Sequence, residues 1–177
     1  MARQNQSYRI KEMKQRSVRE TTPAPPKGPM NEAKIYEEHS LTELRAAGYR
    51  ITMPRVQVIR ALGDTKKALS AYAIHEKIIN GGGKIDVVSV YRILSTLQEV
   101  GLIHHIGVVD GYFPCRMENC GGKQSEVVVF EETGEVMELR LPESMVQAVQ
   151  EQAEKNGFHT NSIKVEITGT SLKGARR

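Results

Sequence analysis

Residues 87–116 read VVSVYRILSTLQEVGLIHHIGVVDGYFPCR, and this stretch decides the fold. Val90, Ile93, Leu94 and Leu97 recur at helical spacing, so they share one face of a helix from about Val87 to Val100. Gly101 is the stop, because helices commonly end on a left-handed residue that glycine adopts without steric cost. Beyond it, Leu102–Val108 and Tyr112–Arg116 are strand-like, and Asp110-Gly111 is a favoured two-residue hairpin turn. Such a turn pairs 109 with 112, 107 with 114 and 106 with 115. A helix that runs directly into a two-stranded hairpin closes a winged helix, and that helix is the one expected to enter a major groove.

The flanking sequence agrees with this reading. Upstream, Ser40 and Glu43 form a capping box for a helix with Leu41 and Leu44 that ends at Gly48. Pro54 follows Thr52 at a first helical position, ahead of Val56, Ile59 and Leu62, with Gly63 as terminator. Ser70 caps a third helix in which Tyr72, Ile74 and Ile78 recur up to the glycines at 81–83. Downstream, Glu126–Phe130 and Val136–Leu141 read as strands joined at Thr133-Gly134. Pro142 and Glu143 open a helix with Met145, Val149 and Ala153 inward, and Ile163, Val165 and Ile167 alternate along a last strand. The expected fold class is α+β: an N-terminal winged helix, then a small α/β domain of three strands and one long helix. Such a sheet leaves a face and an edge open, which argues for a homodimer through this half. The domain reading is a basic extension over 1–33, the winged helix over 34–108, the dimerisation domain over 109–170 and a frayed tail over 171–177.

Composition limits the function classes. The 177 residues are long enough to bury a core without disulfides. No apolar run approaches the roughly 20 residues of a membrane span, and the N-terminus lacks the apolar segment of a signal peptide, which places the protein in the cytoplasm. Charge is unevenly spread: residues 1–29 carry seven Lys/Arg against two Glu, 40–107 nine against five acidic, and 108–177 eight against eleven. The basic first half is therefore the candidate for a polyanion. There is no phosphate-binding glycine loop, no H-E-x-x-H and no serine–histidine–acid set, so an enzyme is not expected. The two cysteines, Cys115 and Cys120, suit a metal or redox site in a reducing compartment better than a structural bridge.

The stretches GYRITMPRVQVIRAL, SAYAIHEKI and VSVYRILSTLQEVGLIHHI together resemble the DNA-binding domain of the ferric uptake regulator family. That family has an R-x-T-x-x-R segment, matched by Arg50, Thr52 and Arg55. It also has a T-V-Y-R-x-L recognition helix, matched by Val90, Tyr91 and Arg92 with Ser89 in place of threonine. The resemblance spans about residues 40–169 and implies a dimeric, metal-responsive repressor that reads palindromic operator DNA. The implied DNA contacts are Arg50, Thr52, Arg55, Ser89, Tyr91 and Arg92.

Within the family the chain is most similar to the zinc uptake regulator branch. Its sensor uses a histidine after the G-L of the recognition helix, a cysteine eleven residues later, then a histidine and a glutamate. Here these positions hold His104, Cys115, Lys123 and Glu138, so one ligand is replaced. In the hairpin register above, His104 is the diagonal neighbour of Cys115 on one face, and His105 points to the other. Cys120 is the natural substitute, because Gly121-Gly122 frees its loop to fold back. A His104/Cys115/Cys120/Glu138 set favours Zn²⁺ over Mn²⁺ or Fe²⁺. The family's structural zinc falls on Phe130 and Thr133, so that site is expected to be lost, with Phe130 and Val128 filling the space and one regulatory zinc per protomer remaining. The alternatives are a thiol-redox-controlled or metal-independent regulator of the same fold, and a winged helix that binds protein without reading DNA.

Overall fold

The computed structural model describes residues 29–117 and 124–172, with the side chains of 29–31 and 124–125 left aside. The expected basic extension thus lies largely outside the described residues, as do Cys120, Lys123 and the end of the C-terminal tail. Helix α1 spans Pro29–Ala46, so it begins eleven residues before the capping box and crosses the expected boundary at 33. Ser40 is not a cap; it lies buried in mid-helix. Tyr36, Ser40 and Leu44 recur every four residues and all turn inward, so burial of this face outweighs the local capping preference of serine. The Tyr36 hydroxyl donates to the Leu102 carbonyl at 3.1 Å, tying α1 to the root of the wing.

Helices α2 (Met53–Gly63), α3 (Ala71–Asn80) and α4 (Val87–Val100) follow as expected. Ser70 Oγ accepts from the Ala73 N–H at 3.1 Å and caps α3. Ile74 and Ile78 face the core, but Tyr72 faces outward, a correction to the predicted apolar stripe. The cap of α4 is Asp86, whose carboxylate accepts the Ser89 N–H at 2.8 Å. Gly101 closes the helix at φ 83°, the left-handed conformation that its lack of a Cβ permits. Leu44, Ile59, Leu62, Ile74, Leu94 and Leu97 form the heart of this helical core.

The wing consists of β1 (Ile103–Ile106) and β2 (Gly111–Pro114), antiparallel, and its register differs from the expected one. His104 opposes Phe113 rather than Met117, and Ile106 opposes Gly111 rather than Cys115. The cause is the connection: Gly107–Val109 winds into a single 3-10 turn and Asp110 takes φ 43°, replacing a two-residue loop with a longer one. The shift is four residues, an even number, so every side chain keeps its predicted face.

Beyond the wing, β3 (Gln124–Phe130), β4 (Val136–Glu138) and β5 (Ile163–Gly169) form a sheet in the order β4-β3-β5. β4 runs antiparallel and β5 parallel to β3, with α5 (Glu143–Lys155) in the connection to β5. Val127 and Val129 point into the core, whereas Val128 and Phe130, expected to fill it, are only half-buried. Along α5 the buried residue is Val146; Met145 and Val149, predicted inward, are 53% and 54% exposed. The inward stripe runs through Val146, Gln150 and Ala153: Ala153 is half-buried as expected, but the first two positions shift by one because the stripe contains Gln150, a polar residue that the apolar pattern skips.

The helical part and the sheet share packing through the wing. Ile103 belongs to the helical core, while Ile106 and Phe113 pack with Val127, Val129 and Val136. The segment between α2 and α3 adds backbone bonds to both sides. The Val136 N–H donates to Lys66 C=O at 2.9 Å, and Leu69 and Tyr112 exchange N–H to O bonds of 2.9 and 2.8 Å.

Candidate metal centre and its DNA-facing surface

His104 lies on β1, Cys115 immediately after β2 and Glu138 at the end of β4. Cys115 is held there by its N–H, which donates to Leu102 C=O at 2.9 Å. In the observed register it is still the diagonal neighbour of His104, now reached through Phe113 rather than through Ile106. One donor atom from each of the three residues lies within 4.8 Å of the others. His104 and Cys115 are 7% and 3% exposed and Glu138 is half-buried, so the cluster is largely shielded from bulk water. His104 Nε2 donates to Glu138 Oε1 at 2.8 Å, and the Arg116 N–H donates to both Glu138 oxygens at 3.1 and 3.0 Å.

This donor set fits a zinc ion. Buried histidine, cysteine and carboxylate side chains are the usual Zn²⁺ ligands, and tetrahedral ligands around zinc stand about 3.5 Å apart, so a contraction on the order of 1 Å completes the fit. The Cys115 sulfur is disulfide-bonded in the structure, and the fit applies to its reduced thiolate. Cys120, the expected fourth donor, lies outside the described residues. His105 turns to the opposite face, where it meets Asp110 at 3.2 Å and the Tyr112 ring.

The sequence reading missed Arg116. Its guanidinium Nη2 donates to the carbonyls of Gly63 at 3.1 Å and Thr65 at 2.9 Å, at the C-terminal end of α2, and its carbon lies 5.4 Å from the Phe113 ring centre. No local pattern marks it, since its partners are backbone atoms some fifty residues upstream.

The predicted DNA residues gather at the N-terminal ends of α2 and α4. Arg50, Thr52, Tyr91 and Arg92 are exposed. Arg55 is half-buried, stacked 5.2 Å from the Tyr49 ring centre and hydrogen-bonded to Arg50 C=O. Ser89 Oγ donates to Asp86 at 2.6 Å, so its hydroxyl is committed to the helix cap. Tyr72, which faces outward, meets Tyr91 edge-on at 6.4 Å and extends this surface.

Comparison with known proteins places this arrangement. The model of the ferric uptake regulator family matches residues 46–168. The chain belongs to the ferric uptake regulator family. The ferric uptake regulation protein of Brucella abortus is 29% identical over 132 residues, covering 74% of this chain and 91% of the relative. That of Pseudomonas fluorescens is 29% identical over 119 residues, covering 66% and 94%. Among solved structures, holo XcZur superposes with a TM-score of 0.72 at 21% identity, covering 82% of this chain and 99% of that one. A zinc uptake regulator complexed with zinc and DNA gives 0.72 at 21%, covering 80% and 94%. These likenesses bear out the expected fold, a winged helix followed by a small α/β domain. As a member of this family the chain is a metal-responsive transcription regulator and not an enzyme. No helix among the described residues is long and apolar enough to cross a membrane.

Proposed function

We propose that this regulator is a cytoplasmic, zinc-responsive homodimeric repressor that binds palindromic operator DNA. The observation that carries the reading is the buried His104–Cys115–Glu138 cluster, set where the wing meets the sheet. His104, Cys115 and Glu138 hold the ion, with Cys120 as the fourth ligand and no structural zinc elsewhere. A bound Zn²⁺ supplies the positive charge that lets a thiolate and a carboxylate converge in a buried place. The chain's own part is to bring three donors, from β1, the residue after β2 and the end of β4, into that place and connect them to the reading helix. On DNA, Arg50 and Arg55 grip phosphates or the minor groove beside the recognition helix, Tyr91 meets a thymine methyl and Arg92 a guanine edge or a phosphate. Ser89 contributes by holding the α4 cap, and Thr52 by starting α2. The exposed Met145, Val149 and Ile167 supply apolar surface for a second copy of the chain.

The test is metal stoichiometry of the reduced protein, with cobalt substitution to count sulfur ligands. One tight zinc per protomer and thiolate-to-cobalt absorption are expected, and Cys115→Ser should abolish metal-dependent operator binding. Full DNA affinity in excess chelator, with no thiolate absorption, would falsify metal sensing. The second reading is a thiol-controlled regulator, favoured by the disulfide at Cys115. A disulfide sulfur is no thiolate ligand, so oxidation and zinc exclude each other at this residue. Thiol titration before and after zinc loading separates the two.

A further inference from the structure

We propose that Arg116 is the positioning residue through which the state of the His104–Cys115–Glu138 cluster reaches helix α2. This rests on the metal-sensing reading above and adds the route by which the cluster acts. A sensor affects DNA binding only if some group engages both the sensor and the reading domain, and the coupling is then reciprocal. Arg116 meets that requirement within one residue. Its backbone follows Cys115, and its N–H donates to both oxygens of Glu138, at 3.1 and 3.0 Å. Glu138 Oε1 is the same atom that accepts from His104 Nε2. Any change in how that carboxylate is engaged is therefore felt at the Arg116 amide.

The side chain carries the displacement away from the cluster. A helix leaves its last carbonyls without internal partners, and a cation there is also favoured by the helix dipole. Arg116 uses one nitrogen for one such acceptor, Gly63 C=O, and for Thr65 C=O two residues beyond the helix, and the planar group lies against Phe113. The chain in this region has little room to absorb a shift. Thr65 is buried and its hydroxyl bridges Lys67 C=O at 2.7 Å, while a Cβ on Gly63 would meet Ala33 and Tyr36 at 3.2 Å. α2 therefore responds to a pull at its C-terminus as a unit, and Arg55 lies near its other end.

The experiment uses the reduced full chain, zinc as the metal, and a DNA duplex selected from random sequence by the wild-type protein with zinc. Arg116→Met and Arg116→Lys are compared with wild type in three measurements: zinc affinity by chelator competition, amide exchange at residues 61–66 with and without zinc, and DNA affinity with and without zinc. For wild type, zinc slows exchange at 61–66 and raises DNA affinity by about 5- to 150-fold, the usual span of an allosteric coupling. For Arg116→Met, zinc affinity stays within about threefold, the exchange response disappears and the DNA enhancement falls towards unity. Arg116→Lys keeps the cation but not the planar fork, and restores part of both.

A full zinc response in Arg116→Met overturns the proposal. Absence of zinc binding by wild type overturns the metal-sensing reading itself, and the proposal with it. Zinc binding by wild type without any exchange response at 61–66 overturns only the route. Should Arg116→Met fail to fold, that wild-type exchange comparison and Arg116→Lys decide.

Discussion

Glu166 on β5 closes a second contact between the wing and the sheet, and its removal gives a clear energetic test. Its two carboxylate oxygens accept the N–H groups of Gly107 and Val108 at 2.8 and 3.0 Å, clamping the first two residues of the 3-10 turn. Hydrogen bonds to a charged group contribute about 1.5–3 kcal/mol when shielded, and less here because both donors reach water. Glu166→Gln keeps one acceptor and turns the other into an amide N–H that faces a backbone N–H. The near-isosteric change should cost about 1–2 kcal/mol, a melting shift of roughly 2–8 °C for a chain of this size. Glu166→Ala should cost no more than Glu166→Gln, because water can reach the freed donors and no donor is forced against them.

Urea and thermal unfolding of both variants measure the loss, and amide exchange at Gly107 and Val108 locates it. The expected result is faster exchange at these two amides in both variants, with unfolding midpoints lowered at least as far for Gln as for Ala. Two variants that melt within 1 °C of wild type, with exchange unchanged, would show that the clamp adds nothing in solution.

Three further outcomes are expected. Ile106→Ala removes a fully buried side chain from the core shared by wing and sheet and should cost about 2–5 kcal/mol, read by urea unfolding. Gly111→Ala places a Cβ 2.9 Å from that of Ala68 and 3.3 Å from its backbone, a close approach worth about 1–3 kcal/mol; Ala68→Gly in the same chain should return much of it, as a double-mutant cycle would show. Burial raises the Tyr36 phenol well above the ordinary tyrosine range near pH 10, so its stabilisation is complete below about pH 10 and is lost as pH rises through the folded value. Tyr36→Phe should flatten that alkaline decline at a neutral-pH cost of about 0.5–1.5 kcal/mol, because the Leu102 carbonyl keeps its bond from Cys115.

What the sequence conveyed depended on whether local chemistry or remote partners decide each feature. Helix α4 was legible in its extent, since the apolar stripe and Gly101 are local signals, while its Asp86 cap emerged only from the structure. The wing was legible as a hairpin but not in register, because nothing in Gly-Val-Val-Asp announces a 3-10 turn over the competing Asp-Gly turn. Ser40 misled because its burial is set by α1 packing across α2 and α4, which a capping motif does not reveal. On α5 the apolar residues Met145 and Val149 look inward by composition, yet the protomer turns them to solvent. Arg116 and Glu166 carried no signal, as each acts on backbone atoms more than fifty residues away.

The His104–Cys115–Glu138 cluster survived a wrong register for a physical reason. Strand side chains alternate with period two, so a shift by any even number of residues preserves the face, and the connection changed the pairing by four. An odd shift would have turned His104 outward and brought His105 towards Cys115. The same alternation fixes what lies around the cluster. Ile103 and Ile106, one on each side of the histidine pair, pack into different cores, and Leu102 C=O accepts from both Tyr36 and Cys115. Close-packed surroundings of this kind do not deform continuously; they pass small displacements to whole elements. The proposed relay through Arg116 needs only that property: a sub-ångström change at Glu138, held against two packed cores, has α2 as its outlet.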